Sequence, residues 1–192
     1  MNLKTTRVII SACILSSVTL VFPAYAETLT GTSGGTGGGA FKQSCRSGFV
    51  LRGIGAKVGS WVDGVTPVCT VAFGHLKGST QEDGLGWFGG DGGDNKNTLC
   101  SKGEAVLGIS ATSGMLTGHI RGVTELSFLC GTPAGDSGGS VSGSTPIGGP
   151  NKPNSIKAFL KCPRGLVATG IYGRSGKWLD QIGLICNKLS PS

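Results

Sequence analysis

The chain of 192 residues carries 17 Lys and Arg against 10 Asp and Glu, and it contains 36 glycines. No run of lysine or arginine is present to follow a phosphate backbone, which argues against nucleic acid binding. The glycines argue against helices, because each costs roughly 1 kcal/mol relative to alanine inside a helix.

The first 26 residues are typical of a secretory leader. Lys4 and Arg7 precede a mostly apolar run from Val8 to Phe22, and residues 24–26 (Ala-Tyr-Ala) have the small-x-small pattern that signal peptidase cleaves. A retained membrane helix is the alternative, but about 15 apolar residues are short for a bilayer span. We predict cleavage after Ala26, export to the periplasm or the cell exterior, and one domain over residues 27–192 without a membrane span.

Six cysteines remain once the leader, which holds Cys13, is removed. An even number of cysteines in an exported chain is typical of a disulfide framework. No Cys-x-x-Cys pair occurs, which argues against a zinc ribbon or a thioredoxin-like redox site. The exported chain would carry a net charge of +5, because the leader holds two of the basic residues and no acid.

Three segments of the chain match one another when each is read from its first cysteine. Each copy has glycine after three positions, Gly-Ile after eight and nine, and glycine after 14. These positions are Gly48, Gly103 and Gly165; Gly53-Ile54, Gly108-Ile109 and Gly170-Ile171; and Gly59, Gly114 and Gly176. The closing cysteine follows after 24 residues in copies one and three and after 30 in copy two, which has an insertion around residues 115–120. The repeat therefore predicts the disulfides Cys45–Cys69, Cys100–Cys130 and Cys162–Cys186.

Apolar residues alternate before each closing cysteine, which predicts a strand with one buried face that includes the cysteine. These residues are Val65, Pro67 and Cys69; Leu126, Phe128 and Cys130; and Ile182, Leu184 and Cys186. A glycine cluster precedes each copy, so the repeats run over about 34–69, 86–130 and 147–186. Three units of this size predict three small antiparallel sheets around a pseudo-threefold axis.

Two stretches carry a family resemblance. GIYGRSGKWLDQIGL (residues 170–184) resembles the last strands of the jacalin-related lectins, and GGTGGGAF (residues 34–41) is similar to their glycine-rich opening. The Cys-x-x-Gly and Gly-Ile spacing also resembles vitelline membrane outer layer protein I, a disulfide-bearing relative. The resemblance implies an all-β, disulfide-bonded β-prism of three Greek-key sheets. It also implies a non-enzymatic lectin without a cofactor, with glycans or glycoconjugates as partners and the possibility of a homo-oligomer.

The lectin signature is a Gly-x-x-x-Asp loop beside the glycine-rich loop, and it occurs at residues 59–63 and 176–180. By resemblance, Asp63 and Asp180 accept hydrogen bonds from sugar hydroxyls, which a carboxylate does strongly. The turns and the glycine-rich loop would supply donors and an apolar face through Gly59, Ser60 and Trp61; Gly176, Lys177 and Trp178; and Gly37 and Gly38. Copy two has Thr124 at the aspartate position.

A structural role for the same residues remains open. The tryptophans can be core residues, and an aspartate can cap a turn by bonding its own backbone. The protein would then be a non-catalytic envelope, matrix or inhibitor protein on the same scaffold. The loss of the aspartate in copy two favours sugar binding, because a purely structural aspartate need not be lost there.

Sequence patterns typical of enzymes and metal sites are incomplete. Residues 135–139 (Gly-Asp-Ser-Gly-Gly) match a protease nucleophile loop, but only 62 residues separate His75 from Ser137, too few for the first barrel of such a protease. A glycosidase needs two carboxylates flanking one bond, whereas a prism is expected to hold Asp63 and Asp180 far apart. We therefore predict no enzyme activity.

A calcium-binding pattern is also incomplete. Residues 89–94 (Gly-Gly-Asp-Gly-Gly-Asp) match part of a calcium-binding nonapeptide, but Lys96 stands where a hydrophobic residue belongs, and the stacked tandem copies that such sites need are missing. A glycine-rich turn explains this segment better, and we predict no metal site.

Overall fold

The computed structural model describes residues 27–72, 81–82, 85–132, 141–149 and 152–189. These residues form strands, turns and loops and contain no helix, so the predicted all-β class is confirmed. A helix with the length and apolar character of a membrane span is accordingly absent from these ranges. The predicted leader, His75 and the Gly-Asp-Ser-Gly-Gly segment lie outside the described residues.

The strands form three antiparallel sheets of five strands each. Sheet I contains β4 (Phe49–Val58), β5 (Val62–Val71), β6 (Gln81–Glu82), β7 (Phe88–Gly89) and β8 (Asp94–Leu99). Sheet II contains β9 (Ala105–Thr117), β10 (Ile120–Gly131), β11 (Val141–Gly143), β12 (Ile147–Gly148) and β13 (Ile156–Lys161). Sheet III contains β14 (Val167–Ser175) and β15 (Leu179–Asn187), together with the early strands β1 (Thr28–Leu29), β2 (Ser33–Gly34) and β3 (Gly39–Ser44).

Each sheet is built around one hairpin. Two short strands pair with the second strand of the hairpin, and a six-residue strand pairs with the first. In sheets I and II this last strand returns across the sheet, which gives the Greek-key order, and in sheet III the equivalent strand is β3. The predicted β-prism of three antiparallel sheets is confirmed.

The sheets are displaced from the predicted repeat boundaries. In the unit predicted over 34–69, the glycine cluster and β3 belong to sheet III, whereas the hairpin that follows them belongs to sheet I. The same offset applies to the other two units. The chain therefore closes the prism by using its first strands to complete the sheet of its last hairpin.

The inward faces of the three sheets meet in one core. The isoleucines of the three Gly-Ile pairs are at most 1 % exposed, and the predicted alternating residues of the second hairpin strands, including the cysteines, also lie in the core. Burial of one such isoleucine contributes about 1.5–3 kcal/mol. The alternating residues thus indicate the inward face of each strand, although Val68 and Ile185, which interrupt the alternation, are buried as well.

The three predicted disulfides are confirmed, and each joins two sheets. Cys45 follows β3, and its N–H donates to the Thr169 carbonyl of sheet III at 2.7 Å, whereas Cys69 lies in β5 of sheet I. Cys100 and Cys162 are placed in the same way at the ends of β8 and β13, and they bond to cysteines in β10 and β15. The disulfides therefore link sheet III to I, I to II, and II to III.

We expect the sheet I to sheet II bridge to be a major source of stability. Replacing Cys100 and Cys130 together by alanine should lower the free energy of unfolding by about 3–4 kcal/mol, because this bridge closes a loop with a sequence separation of 30 residues. Equilibrium denaturation in guanidinium chloride measures the change. A loss below about 1 kcal/mol would mean that the core alone holds these sheets together.

Candidate functional site

The hairpin turns and the glycine-rich segments gather at one end of the prism, which we call the apex. It comprises the turns around residues 58–62, 114–123 and 175–179 and the segments 34–39, 89–93 and 148–149. In each sheet a glycine with φ between 118° and 131° pairs with the second hairpin strand, and the next glycine donates its N–H to a carbonyl of that strand. These carbonyls belong to Asp180, Asp63 and Thr124, at 2.7, 2.8 and 3.0 Å.

Asp180, at the start of β15, lies between its own turn and the glycine-rich segment of sheet III. Its side chain is buried, with the residue 3 % exposed, and it lies beside the Gly176 N–H, which donates to the Trp178 carbonyl at 3.0 Å. A Cβ atom at Gly37 would lie 2.4 Å from Asp180 Oδ1, and one at Gly38 would lie 2.6 Å from Oδ2. Only glycine allows the backbone to approach the carboxylate this closely.

Arg174 supports the same segment from β14. Its Nε donates to the Gly37 carbonyl at 2.9 Å, and its Nη2 donates to the Gly38 carbonyl at 2.6 Å. Burial raises the pKa of Asp180, while the positive charge of Arg174 and the nearby Gly176 N–H act in the opposite direction. Arg174 was not predicted as a site residue, although it lies within the stretch that resembles the lectins.

Asp63 occupies the equivalent position in sheet I. It is 7 % exposed and accepts a hydrogen bond from the Trp61 indole Nε1–H at 3.1 Å, and it lies beside the Gly59 N–H, which donates to the Trp61 carbonyl. Burial raises the pKa of Asp63 and outweighs the opposite effect of these two N–H groups. A Cβ atom at Gly92 would lie 3.0 Å from Asp63 Oδ1, so the fit is close but looser than at Asp180.

The two carboxylates face different glycine segments. The predicted site residues Gly37 and Gly38 lie beside Asp180, whereas Asp63 is next to the 89–93 segment, whose Gly92 was not predicted as a site residue. The glycine cluster at residues 89–93 was visible in the sequence. What the sequence order does not show is that the segment preceding copy one completes sheet III.

The turns of sheets I and III touch through their tryptophans. The Trp61 and Trp178 rings meet edge to face, with centroids 5.9 Å apart and an interplanar angle of 85°. The ammonium group of Lys152 lies 5.2 Å from the Trp61 ring centroid, and Ser60 and Lys177 are exposed at the two turns. The turns of copies one and three are therefore in contact through these rings, whereas the expected separation of their two carboxylates stays a prediction.

Sheet II has no carboxylate at the apex position. Thr124 is fully buried there, and its hydroxyl donates to the Thr112 carbonyl at 3.2 Å. The hairpin of sheet II is longer than the other two and turns at Gly118 and His119, as the predicted insertion requires. Two of the three apex positions therefore carry a buried aspartate.

The calcium-like pattern forms part of the sheet I glycine segment. The Asp91 carboxylate pairs with the Lys57 ammonium, which lowers the pKa of Asp91. Asp94 is exposed at the start of β8. Across residues 27–72, 81–82, 85–132, 141–149 and 152–189, the structure groups no three histidine, cysteine or acidic side chains in a way that could hold a metal ion.

The sequence matches no protein-family model and no curated protein. Its structure is similar to Calystegia sepium agglutinin, with 17 % identity, a TM-score of 0.61, and coverage of 87 % of this chain and 99 % of that one. It is also similar to a mannose-binding jacalin-related lectin from Ananas comosus, with 18 % identity, a TM-score of 0.56, and coverage of 85 % of this chain and 98 % of that one. A third similar structure is the mannose-binding lectin from Champedak, with 17 % identity, a TM-score of 0.57, and coverage of 85 % of this chain and 97 % of that one.

At these identities the similarity concerns the fold. Nearly the whole length of each lectin is covered, and the three-sheet architecture is shared. The chain thus has the β-prism fold of the jacalin-related lectins.

Proposed function

We propose that this protein is an exported, non-enzymatic lectin that binds glycans with the apex turns of sheets I and III. One observation carries the proposal: a buried carboxylate lies between a Gly-x-x-x-Asp turn and a glycine-rich segment in two of the three sheets. The ligand class is supported by proteins of the same fold, which include two mannose-binding lectins and the Calsepa lectin in complex with a biantennary N-glycan.

The carboxylates retain acceptor capacity for a sugar. A carboxylate has about four lone-pair positions, and the Asp63 carboxylate is held in place by the bond from the Trp61 indole. The remaining positions would accept hydrogen bonds from neighbouring sugar hydroxyls. Backbone N–H groups of the exposed residues Ser60 and Lys177 would donate to sugar oxygens, and the tryptophan pair would offer an apolar surface.

Export is supported by the disulfides as well as by the leader. Disulfides form and persist in oxidising compartments, and they are rare in the cytosol. Three bridges linking the three sheets suit a protein that works outside the cytoplasm.

The first test is removal of the apex charges without change of shape. Screening the oxidised protein, residues 27–192, on a glycan array identifies the preferred glycan, and calorimetry then gives its affinity. Asp63→Asn and Asp180→Asn should each weaken a site roughly tenfold to a hundredfold, because a charged hydrogen bond contributes about 1.5–3 kcal/mol. The double variant should weaken both apex sites, so that its affinity for the preferred array glycan falls roughly tenfold to a hundredfold.

Glu125→Gln is the matched control, since it removes one negative charge next to Thr124 in sheet II. It should bind as the wild type does. If the two aspartate variants lost stability in denaturation while their glycan affinity stayed the same, the aspartates would be structural and the proposal would fail.

The glycine-rich segments provide a graded test of the geometry. Gly37→Ala should abolish binding at the Asp180 site, because its Cβ would lie 2.4 Å from Oδ1, whereas Gly92→Ala should weaken the Asp63 site less, since the distance is 3.0 Å. Gly31→Ala is the control, because the nearest atom to its Cβ position, Leu160 Cδ2, lies at an ordinary contact distance of 3.8 Å. Equal affinities for the three variants in calorimetry would contradict the site geometry.

Binding should also respond to acid in a defined direction. Burial raises the pKa of both Asp63 and Asp180, so both lose their charge at a higher pH than an ordinary aspartate, whose pKa is about 3.9. Glycan affinity should therefore fall as the pH approaches the ordinary value from above, as calorimetry at successive pH values would show.

Protonation of these two carboxyls should not lower the stability of the fold. A carboxyl whose pKa is raised in the folded state binds its proton more tightly there, so its contribution to stability is largest below the unfolded pKa and is lost as pH rises through the folded one. Acid should thus reduce glycan binding while protonation of these two groups stabilises the fold. An affinity that stays constant down to the ordinary aspartate pKa would contradict a role for these carboxylates.

A further inference from the structure

The outer faces of the three sheets differ at one equivalent position of the hairpin. At this position the two hairpin strands place Gly55 opposite Thr66 in sheet I and Tyr172 opposite Gly183 in sheet III. In sheet I the Trp87 ring lies over Gly55, with Cη2 3.8 Å from the position of a Cβ. In sheet III the Tyr172 ring covers Gly183 in the same manner, with Cε1 2.6 Å from that position.

Sheet II leaves the equivalent position open. Here Ser110 pairs with Ser127, and neither side chain is large enough to cover the sheet. Strand register places Pro146 where Trp87 stands in sheet I, because Phe88 pairs with Val65 and Ile147 pairs with Leu126. The aromatic ring that fills this space in the other two sheets is therefore missing.

A cavity of about 260 Å³ results on the outer face of sheet II. The residues that line it include Gly108, Ser110, Ser127, Leu129, Phe159 and Lys161. Phe159 is 68 % exposed. The cavity therefore combines an accessible aromatic ring, two hydroxyl groups and an ammonium group.

The side of the cavity along β13 is basic. Lys157 and Lys161 flank Phe159 on the same face of the strand, and the Lys157 ammonium lies 5.5 Å from the Phe159 ring centroid. Both lysines are exposed, and neither forms an ion pair with a residue that the structure describes. Glu125 is the acid on this face, two strands away from Lys157 through Thr112.

We propose that this cavity is a second binding site, for an acidic sugar residue that carries a carboxylate or a sulfate. The volume is close to the lower end of small-molecule sites and suits one pyranose ring. The Phe159 ring would contact the C–H face of the sugar, the Ser110 and Ser127 hydroxyls would bond its hydroxyls, and the Lys161 ammonium would pair with the anionic group. Sheet II thus differs from the other sheets both at the apex and on its outer face.

This site is independent of the apex carboxylates, so the two proposals can fail separately. The probes are trigalacturonate, a sulfated galactose trisaccharide and the neutral galactose trisaccharide, each titrated into the oxidised protein at low and physiological salt. Phe159→Ala and Lys161→Gln should each weaken binding of the acidic probes roughly tenfold, by loss of the ring contact and of the charged bond. Asp63→Asn with Asp180→Asn should leave that binding unchanged.

Lys96→Gln is the matched control, because it removes the same charge from an exposed position on β8 of sheet I. It should bind the acidic probes as the wild type does. Equal weakening in Lys96→Gln would mean that only the net charge matters and would overturn the site.

Three other results would also overturn the proposal. The first is that neither acidic probe binds. The second is that the neutral trisaccharide binds as tightly as the acidic probes and that Phe159→Ala weakens its binding too. The third is that the cavity holds another molecule, shown either by a polyglutamate peptide that binds more tightly than the acidic sugars or by a dimer in sedimentation that Phe159→Ala abolishes.

Discussion

The prism depends on disulfides that hold the edge strand of each sheet against a central strand of the next. A chain this rich in glycine has few large side chains with which to hold three sheets at a set angle, and each bridge restricts that angle directly. The apex needs the restriction, because each glycine segment lies on the turn of another sheet. Cβ atoms at Gly35, Gly90 and Gly149 would lie 2.2–2.4 Å from carbonyl oxygens of Arg121, Lys177 and Ser60.

This interlocking explains how two weakly exposed aspartates can form sites. Each carboxylate is positioned by its own turn, and a backbone segment without side chains comes close enough to leave a shallow polar surface. Trp61 and Trp178 then join the two turns into one continuous surface. In sheet II, Thr124 replaces the carboxylate, the hairpin is longer, and the outer face is open. That sheet has thus departed from the other two in three separate places.

Much of the fold could be predicted because its signals are local and repeated. Cysteine spacing gave the pairings, and the alternation from Val65 to Cys69 gave the buried face. The partner of each aspartate could not be predicted, since β3 completes sheet III across the whole length of the chain. The sheet II cavity was equally hidden, because the ring that covers this position is Trp87 in sheet I and Tyr172 in sheet III, which stand at different places in the repeat.

The central claim is that the apex turns of sheets I and III contact glycans. A titration of isotope-labelled protein with the preferred array glycan, followed through amide and indole N–H resonances, tests it most directly. We expect shifts at Ser60, Trp61, Lys177 and Trp178, with the resonances around Thr124 unchanged. Shifts centred on sheet II, or spread without reference to the apex, would contradict it.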